Sequence, residues 1–350
     1  DVRNSVGYSG VYYKLMSDID MTEWIAENNP QQGWQPIGNL SSMFKGTFIG
    51  NGKKITGLTI NRSTTDYVGF FGYVHSAKIS DLTIEGNIFG KDYTGGVFGK
   101  VNASEIENCG FNGNITGNSN VGGVVGCSML SNINNSHSSG KITAKSDCVG
   151  GVVGYAVLKS VDSVISSDVY VYGEFDANIK ISNVSATCDI ISSGDNVGGV
   201  IGLLHTSDLV ADNDAGKYYI DYNVSTLSEL TNVKHIGSIE GNNNVGGIIG
   251  KNKLNDTTQS RFYTKTNPMS VTVLISDCQH IGSISGNQNI GGLIGKNEQL
   301  SDNTDNVVSL YNCSSLGDIY SVGDYAGGLI GCANAITTYN ASLNVALSNS

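Results

Sequence analysis

Proline is almost missing from this chain, with three in 350 residues, so a Pro-rich linker is excluded. Arginine is nearly as scarce: Arg3, Arg62 and Arg261 are the three. Lys+Arg number 20 against 31 Asp+Glu, a formal net charge of −11. Phosphate backbones need clustered cations, so a nucleic-acid partner is not expected. The negative charge instead keeps a glycine-rich surface soluble. No run approaches 18 apolar residues, so no helix of this segment should enter a membrane. No leader peptide is visible, and the chain starts at Asp1 without Met, as expected of a processed protein or an excised piece. The missing leader therefore does not argue for the cytoplasm. H-E-x-x-H and C-x-x-C are both absent, which removes the zincin and the commonest thiol–metal readings.

What is present in excess is glycine, 46 residues, and it is placed periodically. The segment Val121-Gly122-Gly123-Val124-Val125-Gly126 recurs with small changes at Tyr67–Gly72, Thr94–Gly99, Val149–Gly154, Val197–Gly202, Val245–Gly250, Ile290–Gly295 and Ala326–Gly331. Eight copies make the chain an array. The closing glycines, from Gly72 to Gly331, are 27, 27, 28, 48, 48, 45 and 36 residues apart. A unit of about 27 residues is too short for two helices with loops and suits three short strands with bends.

Two further markers share the period. An Asx residue follows each hexamer, at Asp81, Asn108, Asn135, Asn183, Asn232, Asp277, Asn312 and Asn340, with an apolar residue two positions earlier in all but the last. A Gly-x-Ile pair comes next, as in Gly86/Ile88, Gly113/Ile115, Gly140/Ile142 and Gly282/Ile284, with Cys188/Ile190 in one unit. Each unit therefore gives three strands, GGxxG, I-x-N/D and G-x-I, that stack on their counterparts above and below. The fold expected is all-β, a right-handed parallel β-helix. Eight or nine coils spaced by about 4.8 Å make a rod on the order of 40–50 Å. The Asx column suggests an amide ladder at a left-handed bend. The paired glycines need either positive φ or a close backbone approach. Val124 and Val125 are adjacent and both apolar. Either a bulge turns both inward or the outer face carries a covered apolar stripe.

Residues 1–66 do not fit the repeat and are expected to be an N-terminal cap with a first irregular coil; 67–350 form one continuous solenoid. Within the cap, Tyr12 to Leu15 should be a strand and Asp20 to Asn29 one or two helical turns. Phe44 to Phe48 and Ile55 to Ile60 alternate as strands, with Gly50-Asn51-Gly52 as the turn between them.

The extra residues of the longer units all fall between the closing glycine and the Asx. Four consecutive coils carry about 20, 21, 18 and 8 more residues there than the compact coils. Insertions at one corner stand side by side along one edge. They hold Tyr170, Tyr172, Phe175, Tyr218, Tyr219, Tyr222, Phe262, Tyr263 and Tyr311, mixed with Asp and Asn. Rigid tyrosine beside adaptable polar residues is recognition chemistry, so these nine are the candidate binding residues. The alternative is a set of hairpins packed on one another as a cover.

No catalytic residue, metal site or cofactor emerges. His235 and His280 share a column and would stack about 5 Å apart; with no third ligand evident, a surface or bend position fits them better than a metal pair. Cys109, Cys278 and Cys313 share one column, and Cys127 and Cys332 another, as small buried thiols of a core ladder would. Cys278 and Cys313 fall in adjacent coils, within reach of a disulfide. Calcium nonapeptides would need Asp where this chain is apolar. Paired carboxylates for glycoside cleavage stay open among 31 acids, although no basic cluster for a uronic acid is seen.

The V-G-G-x-x-G core, I-x-N and G-x-I at a period near 27 resemble the GLUG-motif repeat of bacterial surface adhesin-like proteins and of segments of immunoglobulin-A-specific metallopeptidases. The lead-in YYKLMSDIDM, GWQPIG and FKGTFIGNGKKITGLTI strengthens the resemblance. It implies a parallel β-helix in a secreted or surface-exposed bacterial protein, and it does not imply an enzyme. The expected function is a non-catalytic adhesin-like solenoid that binds a host or cell-surface glycan or protein along the insertion edge. The alternatives are a carbohydrate-active β-helix enzyme and a passive spacer.

Overall fold

The computed structural model describes residues 2, 6–158, 178–207, 226–255, 271–299 and 307–334. Within them the chain is a parallel β-solenoid: parallel strands in stacked sheets, with one helix. A first sheet of sixteen strands, a second of eight and a third of seven run along the stack. One turn shows the plan. Val121–Gly122 lies in the third sheet, Val125–Met129 in the second, and Asn132–Asn134 and His137–Ala144 in the first. Each meets its counterpart one floor on: Gly122 pairs with Gly150, Val125 with Val153, Ile133 with Ile181 and Ile142 with Ile190.

The division of motifs among walls differs from the sequence expectation. The I-x-N and G-x-I stretches share one bent sheet, and the glycine hexamer is a corner rather than a strand. At that corner the Val124 and Val125 N–H groups both donate to the Val152 carbonyl, at 3.0 and 2.9 Å. Val97 and Phe98 do the same to Val124, and Val152 and Val153 to Val200. Two donors on one acceptor are the mark of a bulge. It turns both apolar side chains inward, and Val124 and Val125 are fully buried. The bulge is thus the alternative that holds. Gly122 and Gly123 serve close approach, not positive φ: a Cβ on Gly122 would lie 2.0 Å from the Val125 oxygen, and one on Gly123 1.9 Å from the Gly151 oxygen.

The Asx column is left-handed throughout the described coils, with φ from 50° to 56° at Asp81, Asn108, Asn135, Asn183, Asn232, Asp277 and Asn312. Its amides bond along the axis, as in Asn108 Nδ2 to Asp81 Oδ1 at 2.8 Å and Asn232 Nδ2 to Asn183 Oδ1 at 2.8 Å. Asn pays little for this conformation because its short polar side chain tolerates φ > 0. A second left-handed column precedes the third-sheet strands: Tyr67, Tyr93, Asn120, Cys148, Asn196, Asn244, Asn289 and Tyr325. The first hexamer is offset there. Val68, not Tyr67, sits opposite Thr94, although Phe71 still pairs with Phe98.

The N-terminal layers close one end. Ser9–Lys14 pairs in parallel with the strand Lys45–Asn61. Gly50-Asn51-Gly52 is not a turn between two strands. It lies inside that one strand, where three residues occupy the corner that Asp81 fills alone on the next floor. The segments on either side of it do not pair with each other; both pair in parallel with the strand Lys78–Phe89 of the next floor. The helix Thr22–Asn28 buries Ile25, and Trp34 stacks on Phe70 with ring centroids 5.1 Å apart. Phe44, Phe71, Phe98 and Phe111 are buried completely and form the apolar floors above.

Candidate binding surface

The corner between the second and first sheets decides where insertions emerge. In the compact coils it is a tight bend at a left-handed residue: Ser76, Ala103 and Leu130, with φ of 49°, 46° and 47°. In the next four coils the chain leaves at this corner. Leu158, Ser207, Asn255 and Gln299 end second-sheet strands, and Asn178, Thr226, Val271 and Val307 begin first-sheet strands. The exits stack in register, Leu158 on Thr206, Thr206 on Leu254 and Leu254 on Gln299. The returns do likewise, Ile179 on Ser228, Ser228 on Val273 and Val273 on Val308. A hydrogen bond of 2.8 Å between the Thr206 and Ser228 hydroxyls ties exit to return. One edge therefore carries all four stems.

Of the nine candidate binding residues, Tyr170, Tyr172, Phe175, Tyr218, Tyr219, Tyr222, Phe262 and Tyr263 lie outside the described residues. Tyr311 is described. It closes a first-sheet strand beside Asn312, pairs with Ser276 and is exposed. It belongs to a coil, not to an insertion.

Beside the stems lies the outer face of the second sheet. Strand alternation points Val74, Val101, Ser128, Ala156 and Leu204 into the core and turns their neighbours outward. The outward column runs Tyr73, Lys100, Cys127, Tyr155, Leu203, Lys251, Lys296 and Cys332. Cys127 and Cys332 are thus on an outer face and not in a core ladder, although Cys127 is covered to 2% exposure. Tyr67 stacks between Tyr73 and Tyr93, at 5.7 and 4.9 Å, and Lys100 sits 4.9 Å from the Tyr73 ring centre. The Tyr155 hydroxyl lies 3.1 Å from His205 Nδ1, and burial raises its pKa. Further along, Lys251 and Lys296 both pair with Glu298. The signal for this face was present in the sequence as Tyr73, Lys100, Cys127 and Tyr155 at the repeat spacing, but the direction each side chain points was not.

His235 and His280 are in the core, not at a surface or bend. Both are fully buried, with rings parallel to 7° and centroids 5.1 Å apart. They replace the apolar side chains that pack on the glycine corner in earlier coils, such as Phe111 over Gly96; His235 lies over Gly199 and His280 over Gly247. Each Nε2 is 3.0 Å from a carbonyl oxygen, of Cys188 and Gly282 respectively, so each neutral ring carries its proton there. The two Nδ1 atoms then face each other at 3.0 Å with no proton between them. A third proton would complete the set but would place a charge in a dry core. Burial accordingly pushes His235 down to about 3 and His280 to about 4. Burial also raises the Cys109, Cys127, Cys148 and Cys188 thiols to about 12, which leaves them unreactive. Among the described residues no three His, Cys, Asp or Glu side chains converge as a metal site, and no helix is long and apolar enough to cross a membrane.

Residues 117–143 match the family described as the GLUG motif. A stretch of 88 residues, 25% of this chain, is 38% identical to a "Putative Gly-rich membrane protein" of Evansella cellulosilytica and covers 10% of that protein. A stretch of 76 residues, 21% of the chain, is 36% identical to "Halomucin" of Haloquadratum walsbyi and covers 1% of it. The chain thus corresponds to a small part of the length of either relative. No solved structure matches it. The matched segment is one full turn of the solenoid, from the second left-handed column through the G-x-I strand, and that turn carries the GLUG motif.

Proposed function

We propose that this chain is a non-catalytic, surface-displayed solenoid that binds a glycan or protein along the edge where its four insertions emerge. The observation that carries the reading is the register of the stems. Four exits and four returns stack floor on floor, so whatever the insertions present is held in a row by a rigid scaffold. The adjoining second-sheet face adds tyrosines, lysines and histidines in half-buried positions. Rings that cannot collapse further lose little entropy when a ligand covers them. The printed names of the two relatives, a membrane protein and a halomucin, support display at a cell surface.

The test is a glycan array and a cell-binding assay with the wild type and with a variant in which residues 159–177, 208–225 and 256–270 are each replaced by the Leu-Ser bend of residues 130–131. The expected result is binding by the wild type that the shortened variant loses while keeping its β spectrum. Unchanged binding by the shortened variant would overturn the edge. Release of reducing sugar from any bound glycan would move the reading to a carbohydrate-active enzyme.

A further inference from the structure

We propose that Cys278 and Cys313 are a dithiol that closes into a disulfide under oxidising conditions and pins together the return stems of the last two insertions. The two residues are one floor apart in the same column. Ser276 pairs with Tyr311 before them and Gln279 with Ser314 after them, so the register is fixed on both sides. The Ser314 N–H donates to the Cys278 carbonyl at 2.9 Å, and Asn312 Nδ2 donates to Asp277 Oδ1 at 2.6 Å. Neighbouring strands stand about 4.8 Å apart, inside the Cα separation that a disulfide spans. Each thiol bonds back to its own strand, Cys278 Sγ to the Ser276 carbonyl and Cys313 Sγ to the Tyr311 carbonyl, both at 3.2 Å, so the two sulfurs take the same position on neighbouring floors. No other pair of thiols among the described residues occupies adjacent floors of one column: Cys109 has Ser136 above it, and Cys127 has Tyr155.

The partners are chemically unequal. Cys278 is buried, and its contact with Cys313 together with burial raises its pKa. Cys313 is half-buried and the more accessible of the two, and the neighbouring Cys278 thiol is the main cause that holds it below the ordinary thiol value. Cys313 is therefore the attacking thiolate. With a small-molecule disulfide as oxidant, the Cys313 sulfur bonds to one oxidant sulfur and expels the other as thiolate. The Cys278 thiol then loses its proton and attacks the Cys313 sulfur, and the second thiolate leaves. Two protein thiols become one disulfide, and one oxidant disulfide becomes two thiols.

The stems Val271–Ser276 and Val307–Tyr311 end immediately before these cysteines. A bond here ties the last two floors at the far ends of the return stems, across the strands from the insertion corner, whatever ligand that edge takes.

The experiment treats the full chain with oxidised glutathione at pH 8, then unfolds it, alkylates free thiols and maps the peptides. The wild type should show Cys278 and Cys313 protected as one cross-linked peptide pair, with a mass loss of about two hydrogens. Cys278→Ser should instead accumulate a glutathione adduct on Cys313. Serine is accommodated in this column: Ser136 Oγ donates to the Asn134 carbonyl at 2.9 Å, as Cys278 Sγ does to Ser276 at 3.2 Å. Cys313→Ser should show neither product at this site. Amide exchange across residues 307–334 should slow roughly tenfold on oxidation of the wild type only. Alkylation of both cysteines after treatment, or a lasting adduct on Cys313 in the wild type, would overturn the proposal.

Discussion

The two halves of the tower are built on the same backbone but filled differently. Up to about residue 158 the coils are compact, and the interior is aromatic and aliphatic apart from small hydroxyls such as Ser128 and Ser138. Phe71 stacks on Phe98 at 5.7 Å, tilts against Phe44 and Phe48, and Phe111 follows one floor on. From residue 178 the coils carry insertions, and polar groups enter the interior: the His235–His280 stack, the buried Asn252–Asn297 pair and the Thr206–Ser228 contact. Apolar burial tolerates any neighbour of the right size, whereas buried polar groups must meet a partner in a fixed place. The half that carries the stacked stems thus uses contacts that fail when the register slips. It should also be the half that responds more strongly to pH and to oxidant.

The largest separation between the halves should come from emptying the aromatic floor. Phe111→Ala removes a fully buried ring that lies on Gly96. A loss of about 3–5 kcal/mol is expected, confined by nearest-neighbour coupling to the compact coils. Hydrogen exchange with mass readout by segment would show it. Equal deprotection of residues 226–255 would mean that the halves are one cooperative unit.

Acid should act on the other half. A free histidine titrates near 6.5, while His235 and His280 are held by burial near 3 and 4. The unfolded state therefore binds protons first. The stability these groups contribute is complete above about pH 6.5 and declines as the pH falls toward their folded values. At pH 5 the loss is about 2 kcal/mol for each histidine, set by the unfolded state alone because both folded values lie lower. The charged group facing His235 is Asp189, whose carboxylate accepts the Ser238 N–H and hydroxyl at 2.8 and 2.7 Å and does not bond the ring. Denaturant melts between pH 7.5 and 5 should lower the second half more than the first, where burial also holds His75 and His137 below the ordinary value, and His235→Phe with His280→Leu should flatten the dependence of the second half. A pH response surviving in the double variant would place it elsewhere.

A smaller effect should follow from the amide pair. Asn297→Ala leaves the buried Asn252 Nδ2 without the Asn297 Oδ1 it reaches at 2.8 Å, a cost of about 1–3 kcal/mol. Ala at the matching position of the compact half, Ser128, should be neutral or slightly stabilising, because the Ser128 hydroxyl is buried without a partner. Thermal melts of the two variants, compared side by side, test the claim that polar interior contacts matter only where they are paired.

Much of this plan was legible in the residues. Period, parallel stacking and the left-handed Asx ladder follow from Asn and Gly chemistry that repeats every floor. The second left-handed column has no clear mark in the sequence, because Tyr67, Tyr93 and Tyr325 occupy it alongside Asn196 and Asn244, and tyrosine is no signal for φ > 0. The histidines were misplaced because a polar residue in an alternating strand looks exposed until the opposite wall is known to be bare glycine. The adjacent Val124 and Val125 signalled a bulge or a covered stripe, but only the shared Val152 acceptor distinguishes the two and shows that the bulge is a corner between walls. The candidate face was divided: the repeat located the stems, but eight of the nine proposed contacts fall outside the described residues, and the Tyr73–Tyr155 face depends on side-chain direction.

The finest distinction between the halves is on their outer surfaces. In the compact half Lys78 and Glu105 pair at 2.7 Å on the first sheet with more than 60% of each side chain exposed. In the inserted half Glu298 joins Lys251 and Lys296 on the second sheet with 15–19% exposed. Water and salt screen the first pair, so Glu105→Gln should leave the melting midpoint unchanged. Around Glu298, burial works to raise the carboxyl, and the hydrogen bonds from Lys251 and Lys296 outweigh it, so its pKa falls below the ordinary value. Its contribution is then present above that ordinary value, near 4.5, and is lost as the pH drops below it. Glu298→Gln at neutral pH would leave two sheltered ammonium groups facing each other, a loss of about 1 kcal/mol. That loss should shrink in high salt much less than any effect at Glu105, since the sheltered pair is screened less. Equal salt sensitivity at the two sites would mean that the second-sheet face is as open to water as the first, and the case for a sheltered binding face beside the stems would fail with it.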